Sequence, residues 1–320
     1  MPSATEVIYM ILLSSELAIG IWGNGFIVLV NFFGCLRRRD ISLVDTILVS
    51  LAISRISLLC VISLDGFIMV LFPNVYTHGE IMSVLDIFWT LTNHLSVWFT
   101  SCLSIFYLLK ISNVSCSLSL WLKINIKRVI LGILLGSFLI TLLICIPMSY
   151  YLHDDFRYQF KDDNGENKTL EFEVSKILNA LQQIFLNLGA LVPFVLSLIS
   201  FLLLLFSLFR HTKNIKFHAT GSRDPSTEAH MRAIKTVVIF LLLFIISYTL
   251  FLVVTSSFLI PQRKLVVMFG GIITIIFPSG HSFILIMGNS KLKEAFLKLL
   301  RFMWAHTTLC SIQSPRETLE

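Results

Sequence analysis

The sequence predicts an all-α membrane protein: a bundle of seven transmembrane helices, N-terminus outside, with a short amphipathic helix after the seventh span. Three observations carry this. Of 320 residues, 56% are hydrophobic and only 14% charged, which leaves too little polar surface to keep a chain of this length in water. The apolar residues gather into seven runs, each long enough to cross a hydrocarbon layer that needs about 20 helical residues. Lysine and arginine are concentrated on alternate connections between those runs.

The first run, Ile8 to Asn31, is read as a retained anchor. Met1 to Val7 has no basic residue, and the run exceeds the apolar core of a removable leader. The others are Asp45 to Phe72, Val84 to Leu109, Val129 to Ser149, Leu178 to Phe209, Met231 to Phe258 and Leu265 to Met287. A membrane barrel would need strands that alternate apolar and polar residues. Runs such as Phe201 to Phe209 (FLLLLFSLF) are apolar on every side, so the spans are helices. The connections are too short to fold a core of their own, so residues 1–320 form one membrane domain, with 288–320 as its tail. Within the tail, Lys291 to Trp304 places Leu292, Phe296, Leu299 and Met303 on one helical face and Lys291, Lys293, Lys298 and Arg301 elsewhere, the pattern of a helix lying on a membrane surface.

Orientation follows from charge. Of the 25 Lys and Arg residues, 18 lie on one set of connections or at the span ends beside it and 6 on the other, with Arg55 alone deep inside a span. Basic residues favour the cytoplasmic side, which puts the N-terminus outside and the C-terminus inside. The net charge of +6 then reflects anionic inner-leaflet lipid or an acidic partner and calls for no nucleic acid.

Several chemistries are unsupported. The six cysteines fall outside the assigned extracellular loops, which argues against an extracellular disulfide framework. No pair has zinc-ligand spacing, no H-E-x-x-H occurs and no phosphate-cradling G-x-x-x-x-G-K loop occurs, so neither metal nor cofactor is expected. Cys310 is either a plain cytosolic thiol or a palmitoylation site. A secondary transporter is the main rival class, but it would show inverted repeats with paired broken helices, and no such internal symmetry is visible.

Polar residues inside the spans mark where function should be sought, because each costs several kcal/mol in hydrocarbon unless it is paired or faces the bundle interior. They fall in two layers. The inner layer holds Asn24, Arg55, His281 and Ser282, either a static network around a buried guanidinium or one that rearranges between two states. Pro193 and Pro278 remove helix hydrogen bonds nearby. The outer layer holds Asp65, Asp86, Trp89, Asn93, His94, Gln182, Gln183, Asn187, Ser247, Tyr248 and Thr255. Trp89 and Asn93, four residues apart, share a helix face. An aromatic wall with an amide one turn deeper suits a small, mostly apolar ligand with one polar group, although Trp89 fits an interfacial aromatic belt equally well. Asp65 would pair a cationic ligand, cap a helix or pair a loop lysine.

Five strings give the chain a family resemblance: LAISRISLLC (Leu51 to Cys60), SCLSIFYLLKI (Ser101 to Ile111), WLKINI (Trp121 to Ile126), GSRDPSTEAHMRAIKT (Gly221 to Thr236) and HSFILIMGNSKLKEAF (His281 to Phe296). In this order they resemble the bitter taste receptors, the type 2 taste receptor family, from about Gly20 to Arg301. The resemblance implies a seven-helix G-protein-coupled receptor that binds small bitter agonists and signals through a heterotrimeric, gustducin-type G protein. It sets Arg55 where rhodopsin-like receptors carry an aspartate, so no sodium-binding carboxylate is expected there. Phe106, Tyr107 and Lys110 stand in place of Asp-Arg-Tyr, and Pro278, His281 and Ser282 in place of Asn-Pro-x-x-Tyr.

By the same resemblance Trp89 and Asn93 are ligand contacts; Asp65, Asp86 and Tyr248 join them as candidates from their depth in the outer layer, and Gly271 from its place seven residues before Pro278. Gly271 replaces the acidic or polar contact of several members, which predicts a locally larger pocket and weak amine preference. Phe244 replaces a common tyrosine. Tyr107, Lys110, His211, Lys213, His230 and Lys235 would face the G protein, and Asn167 matches the second-loop glycosylation site.

The sequons test the topology directly. Asn167-Lys168-Thr169 falls in an outside connection and Asn113-Val114-Ser115 in an inside one. Endoglycosidase treatment is expected to shift the mobility of the wild-type chain and not that of Asn167→Gln. A shift that survives in Asn167→Gln and disappears in Asn113→Gln would invert the topology.

Overall fold

The computed structural model describes residues 2–38, 42–78, 80–111, 117–159, 168–218, 225–255 and 263–313. Among them are ten helices and no strand. Seven helices are long and apolar enough to cross a membrane. All seven sequence-read spans correspond to helices, and most of these helices run past the expected ends.

Helix α1 (Ala4–Arg38) starts before the apolar run. The Glu6 amide donates to Ser3 Oγ at 3.3 Å while the Ser3 amide donates to the Glu6 carboxylate at 2.7 Å, a reciprocal box that satisfies two amide donors at a helix start. Helix α2 (Leu43–Leu71) opens on Ser42, whose Oγ accepts from the Asp45 amide at 3.1 Å, and closes at Phe72. Pro73 then begins the short α3 (Pro73–His78), a position where its missing N–H costs nothing. Helix α4 (Glu80–Ile111) is the third span. The connection after it contains α5 (Ser117–Ile124), a helix that the apolar runs did not announce, joined through Asn125 to α6 (Ile126–Gln159).

Helix α7 (Lys168–His218) has 51 residues against the 32 of the expected fifth span. At about 1.5 Å per residue it is much longer than a bilayer core of about 30 Å, so its polar ends project into water. Pro193 lies within it. Helices α8 (Pro225–Thr255) and α9 (Arg263–Gly288) complete the spans, and Pro278 sits inside α9. Asn289 then separates α9 from α10 (Ser290–Gln313), accepting on its side-chain oxygen from the amides of Lys291 at 3.0 Å and Leu292 at 3.4 Å.

Packing centres on α4, which touches α2, α6 and α7, while α1 packs on α2 and α9, and α8 bridges α7 and α9. Two apolar clusters bracket the polar middle. One joins Ile27, Leu48, Leu51, Leu103, Ile130, Ile286 and Leu292; the other joins Tyr9, Leu13, Leu58, Leu59, Ile62 and Met268. In lipid the hydrophobic effect supplies little net force between helices, so small residues that allow close approach matter more. Gly20 and Gly23 bring α1 against Ser279 and Ser282 of α9. A side chain at Gly66 would strike the Tyr9 hydroxyl and approach Leu13 Cδ2 to 2.7 Å. Large apolar groups such as Phe206 and Leu139 point outward, as a lipid-facing surface requires.

The amphipathic helix is latched to the bundle as well as aligned by its apolar face. Lys291 Nζ lies 3.1 Å from Asp45 Oδ2 and donates to Asn31 Oδ1 at 2.8 Å, tying α10 to α2 and α1. Gly34 makes room, since a Cβ there would come within 3.2 Å of both Lys291 Nζ and Cε. Leu292 is fully buried beside the latch, whereas Met303 at the far end of the same face is exposed. The two charged side chains are 26% and 16% exposed, so their attraction is only partly screened.

A double-mutant cycle tests this latch. Asp45→Asn and Lys291→Met are each expected to lower the melting temperature of the purified protein. Combined, they should cost less than the sum by a coupling of about 1 kcal/mol. Strict additivity would show the pair to be energetically idle.

Candidate functional site

The polar residues of the spans converge around one cavity of about 60 Å³ in the middle of the bundle. Helix α4 contributes Asn93, Ser96, Val97 and Thr100, all on one helical face. Opposite stand Ala190 of α7 and Phe244, Ser247, Tyr248 and Phe251 of α8. Thr274, Phe277 and Pro278 of α9, with Leu58 of α2, close the remaining side.

Aromatic stacking shapes the outer half. The Tyr248 and Phe194 rings lie 3.8 Å apart and nearly parallel, Phe194 stacks on Phe244 at 5.1 Å, and Trp89 stacks on Phe251 at 6.0 Å. Trp89 thus covers the cavity through Phe251 and does not itself line it. Asn93 is buried, and its Nδ2 has no hydrogen-bond partner among the described residues. An amide donor left unpaired beside an empty space favours a ligand with an acceptor.

The inner half is built on Arg55, which is 0% exposed. Its Nη2 donates to Thr100 Oγ1 at 3.2 Å, and its guanidinium carbon lies 5.6 Å from the centre of the Phe277 ring. His281 stacks on Phe277 at 5.7 Å and meets the Phe240 ring at a tilt, with centroids 4.0 Å apart. Arg55 and His281 are therefore connected by a shared aromatic ring. Asn24, fully buried, donates to the Gly20 carbonyl at 2.9 Å and to the Pro278 carbonyl at 3.4 Å, fastening α1 to α9 at its proline. Ser282 Oγ returns its proton to the Ser279 carbonyl at 2.6 Å.

Of the outer-layer residues read from sequence, Asn93, Ser247 and Tyr248 line the cavity, and Trp89 abuts it. Asp65, half-buried on α2, and Asp86, exposed on α4, are not among its lining residues. Gly271 differs from expectation. A Cβ there would meet the Tyr9 hydroxyl at 3.2 Å and Ile62 at 3.9 Å, so its missing side chain serves the contact with α1 and α2 and does not enlarge the cavity. Thr274, three residues on, takes the cavity-facing position. The side chains of Gln182, Gln183 and Thr255 lie outside the described residues, as do Asn113 and Asn167.

At the opposite end, the Tyr107 hydroxyl is hydrogen-bonded to the Asn289 side chain, joining α4 to the α9–α10 junction. Lys110, Lys213 and Lys235 are exposed, and Lys110 lies 5.9 Å from the Phe106 ring. The side chains of His211, His230 and Cys310 fall outside the described residues. Two groups central to the geometry, Thr100 and Phe277, were missed from the sequence. A threonine or phenylalanine within an apolar run carries no signal of its own, and only the neighbouring Ser96, Ser101 and Ser104, all on the Thr100 stretch of span 3, hint at a polar seam. That seam continues to α7, where Ser101 Oγ lies 2.7 Å from both Ser197 Oγ and the Pro193 carbonyl.

Residues 1–304 match the family model described as taste receptor protein (TAS2R). The chain is 65% identical over 304 residues to taste receptor type 2 member 9 of Homo sapiens, covering 95% of this chain and 96% of that protein. It is 64% identical over 303 residues to the member 9 protein of Papio hamadryas. Over 300 residues it is 50% identical to taste receptor type 2 member 7 of Macaca mulatta, covering 94% of each.

Thr100→Val tests the inner half. Removing the hydroxyl that holds a buried guanidinium is expected to destabilise the fold by about 1.5–3 kcal/mol, read as a lower melting temperature. Ser247→Ala should change stability by no more than about 0.5 kcal/mol, because Ser247 Oγ only returns to the Leu243 carbonyl of its own helix at 2.7 Å.

Proposed function

The chain belongs to the type 2 taste receptor family, and on that premise we propose that it is a plasma-membrane receptor for small, largely apolar bitter compounds, coupled to a gustducin-type G protein. The observation that carries this reading is the cavity between α4, α7, α8 and α9, with a free amide and an aromatic wall above and a buried guanidinium below. The N-terminus is taken as extracellular and the C-terminus as cytoplasmic, which the 18 to 6 division of basic residues supports. Asn167 is then the glycosylated position, and the basic tail from residue 288 lies against anionic lipid.

A cavity of about 60 Å³ is far below the roughly 300–1,000 Å³ that drug-sized ligands occupy. An agonist therefore has to widen it. The cheapest movable wall is aromatic: Trp89, Phe251, Tyr248 and Phe194 are held to one another by ring stacking. An apolar agonist replaces those ring contacts with its own, and its acceptor takes the Asn93 amide. Asp65 and Asp86 then act at the extracellular approach to the cavity.

Displacing α8 and α9 alters the ring contacts that run through Phe244 and Phe277 to His281 and Arg55. This is how the ligand layer reaches the activation network of Asn24, Arg55, Tyr107, Pro278, His281 and Ser282. An agonist shifts the equilibrium only by its difference in affinity between the closed and open arrangements. Opening the inner ends of α4, α7 and α8 exposes a surface bearing Lys110, His211, Lys213, His230 and Lys235, suited to an acidic helix of a Gα subunit.

The test is a calcium response in cells that co-express a promiscuous Gα, using a chemically diverse bitter panel. With surface expression retained, Trp89→Ala should raise the half-maximal agonist concentration about tenfold or more, equivalent to about 1.4 kcal/mol. Gly271→Ala should leave it within about threefold, equivalent to about 0.65 kcal/mol. Unchanged potency of Trp89→Ala for every active compound would remove the site assignment, and responses that persist without Gα would remove the receptor reading.

A further inference from the structure

The positive charge at the bundle centre lies behind the cavity wall without forming part of it. Arg55 is fully buried, and two residues hold it: Thr100, which accepts from Nη2 at 3.2 Å, and Phe277, whose ring centre is 5.6 Å from the guanidinium carbon. Both of these residues line the cavity, whereas Arg55 does not. One side-chain layer therefore separates a full charge from the space in which an agonist is proposed to sit. Among the described residues the ion pairs are Asp45–Lys291 and Glu294–Lys298, so no carboxylate is paired with the guanidinium.

The lining does little to offset that charge. No Asp or Glu is part of it. The hydroxyls of Ser247, Thr274 and Thr100 give their protons to the Leu243, Gly270 and Ser96 carbonyls of their own helices at 2.7, 2.7 and 2.8 Å. They are left with lone pairs, small dipoles beside a whole charge. The field of that charge crosses the layer without any contact: at about 8 Å and an effective dielectric constant of about 20, it shifts the equilibrium of a second unit charge about thirtyfold. Buried charges are screened only weakly by salt.

The outer end carries the opposite sign. Asp65 lies seven residues outward of Leu58 on α2, and Asp86 seven residues outward of Asn93 on α4, two turns beyond the lining in each case. The long axis of the site thus runs from a guanidinium at its inner end to two carboxylates at its outer end.

We propose that Arg55 determines the charge selectivity of this cavity. It requires the inward end of an agonist to be uncharged and to carry an acceptor such as a carbonyl or ether oxygen, and it turns any cationic group of the same molecule outward, toward Asp65 and Asp86. A compound whose protonated amine must enter first is rejected; a base with its charge at the far end is taken in one orientation. The proposal rests on the reading of the cavity as the ligand site and adds the chemical class of the ligand's buried end.

Thiol labelling reads the potential of the cavity without an agonist. Ser247→Cys changes one atom of the lining. The full-length variant in phosphatidylcholine nanodiscs would be treated with methyl, 2-aminoethyl and 2-sulfonatoethyl methanethiosulfonate, which are neutral, cationic and anionic, and labelling at position 247 followed by peptide mass spectrometry. The sulfonatoethyl-to-aminoethyl rate ratio, divided by that of a free thiol in the same buffer, is expected to be about ten or more. Changes in the reactivity of the thiol itself act on all three reagents and cancel in this ratio. Adding Arg55→Met should bring it within about threefold of one, and adding Arg55→Lys, which keeps the charge, should preserve it. With the neutral reagent reacting, a ratio near one in Ser247→Cys, or one unmoved by Arg55→Met, would overturn the proposal and leave the ligand site standing. Should Arg55→Met fail to fold, the ratio in Ser247→Cys alone decides. No labelling even by the neutral reagent would remove the ligand-site reading, and the proposal with it.

Discussion

A permanently charged guanidinium in the middle of an apolar bundle is the constraint around which the other parts arrange themselves. Arg55 has to be held by α4 through Thr100 and by α9 through Phe277, and this fixes how closely those two helices approach α2. Close approach in turn requires small residues behind them, which the glycines and serines at the α1–α9 contact provide. Asn24 then fastens α1 to the Pro278 carbonyl, so the helix carrying the aromatic partner of the charge is held from its other side.

Above and below this point the bundle uses different means of cohesion. The outer half relies on stacked rings, from Phe194 and Tyr248 through Phe251 to Trp89. The half nearest α10 relies on directional bonds, in the Lys291, Asp45 and Asn31 triad and in the Tyr107 to Asn289 contact. Stacked rings slide with little loss, whereas hydrogen bonds and ion pairs break at defined geometries.

Sequence reading reached the architecture readily, because lipid imposes long apolar helices whatever the tertiary details. It also recognised Asn24, Arg55, Asn93 and Tyr248 as residues that hydrocarbon would not tolerate without a reason. Partner choice was the illegible part. Nothing in the chain announces that Lys291 would reach back to Asp45, or that a threonine and a phenylalanine would hold the guanidinium. Gly271 shows the same limit from the other side: its place in span 7 suggested space for ligand, while the rotation of α9 turns it toward Tyr9. Helix ends were misjudged where capping chemistry, such as the Ser3 and Glu6 box, carries the backbone beyond the apolar run.

The spans differ greatly in how much of their surface other helices cover. In the most apolar stretch of α2, 56% of residues are buried, against 22% in α8 and 17% in α6. For α8 and α6 the principal neighbour is acyl chain, so the work of tilting them is set by the stiffness and thickness of the bilayer more than by protein contacts. Membrane composition thereby becomes a variable of the signalling equilibrium, with sterol content and chain length acting on α8, which walls the cavity, and on α6, which packs against α4 behind it.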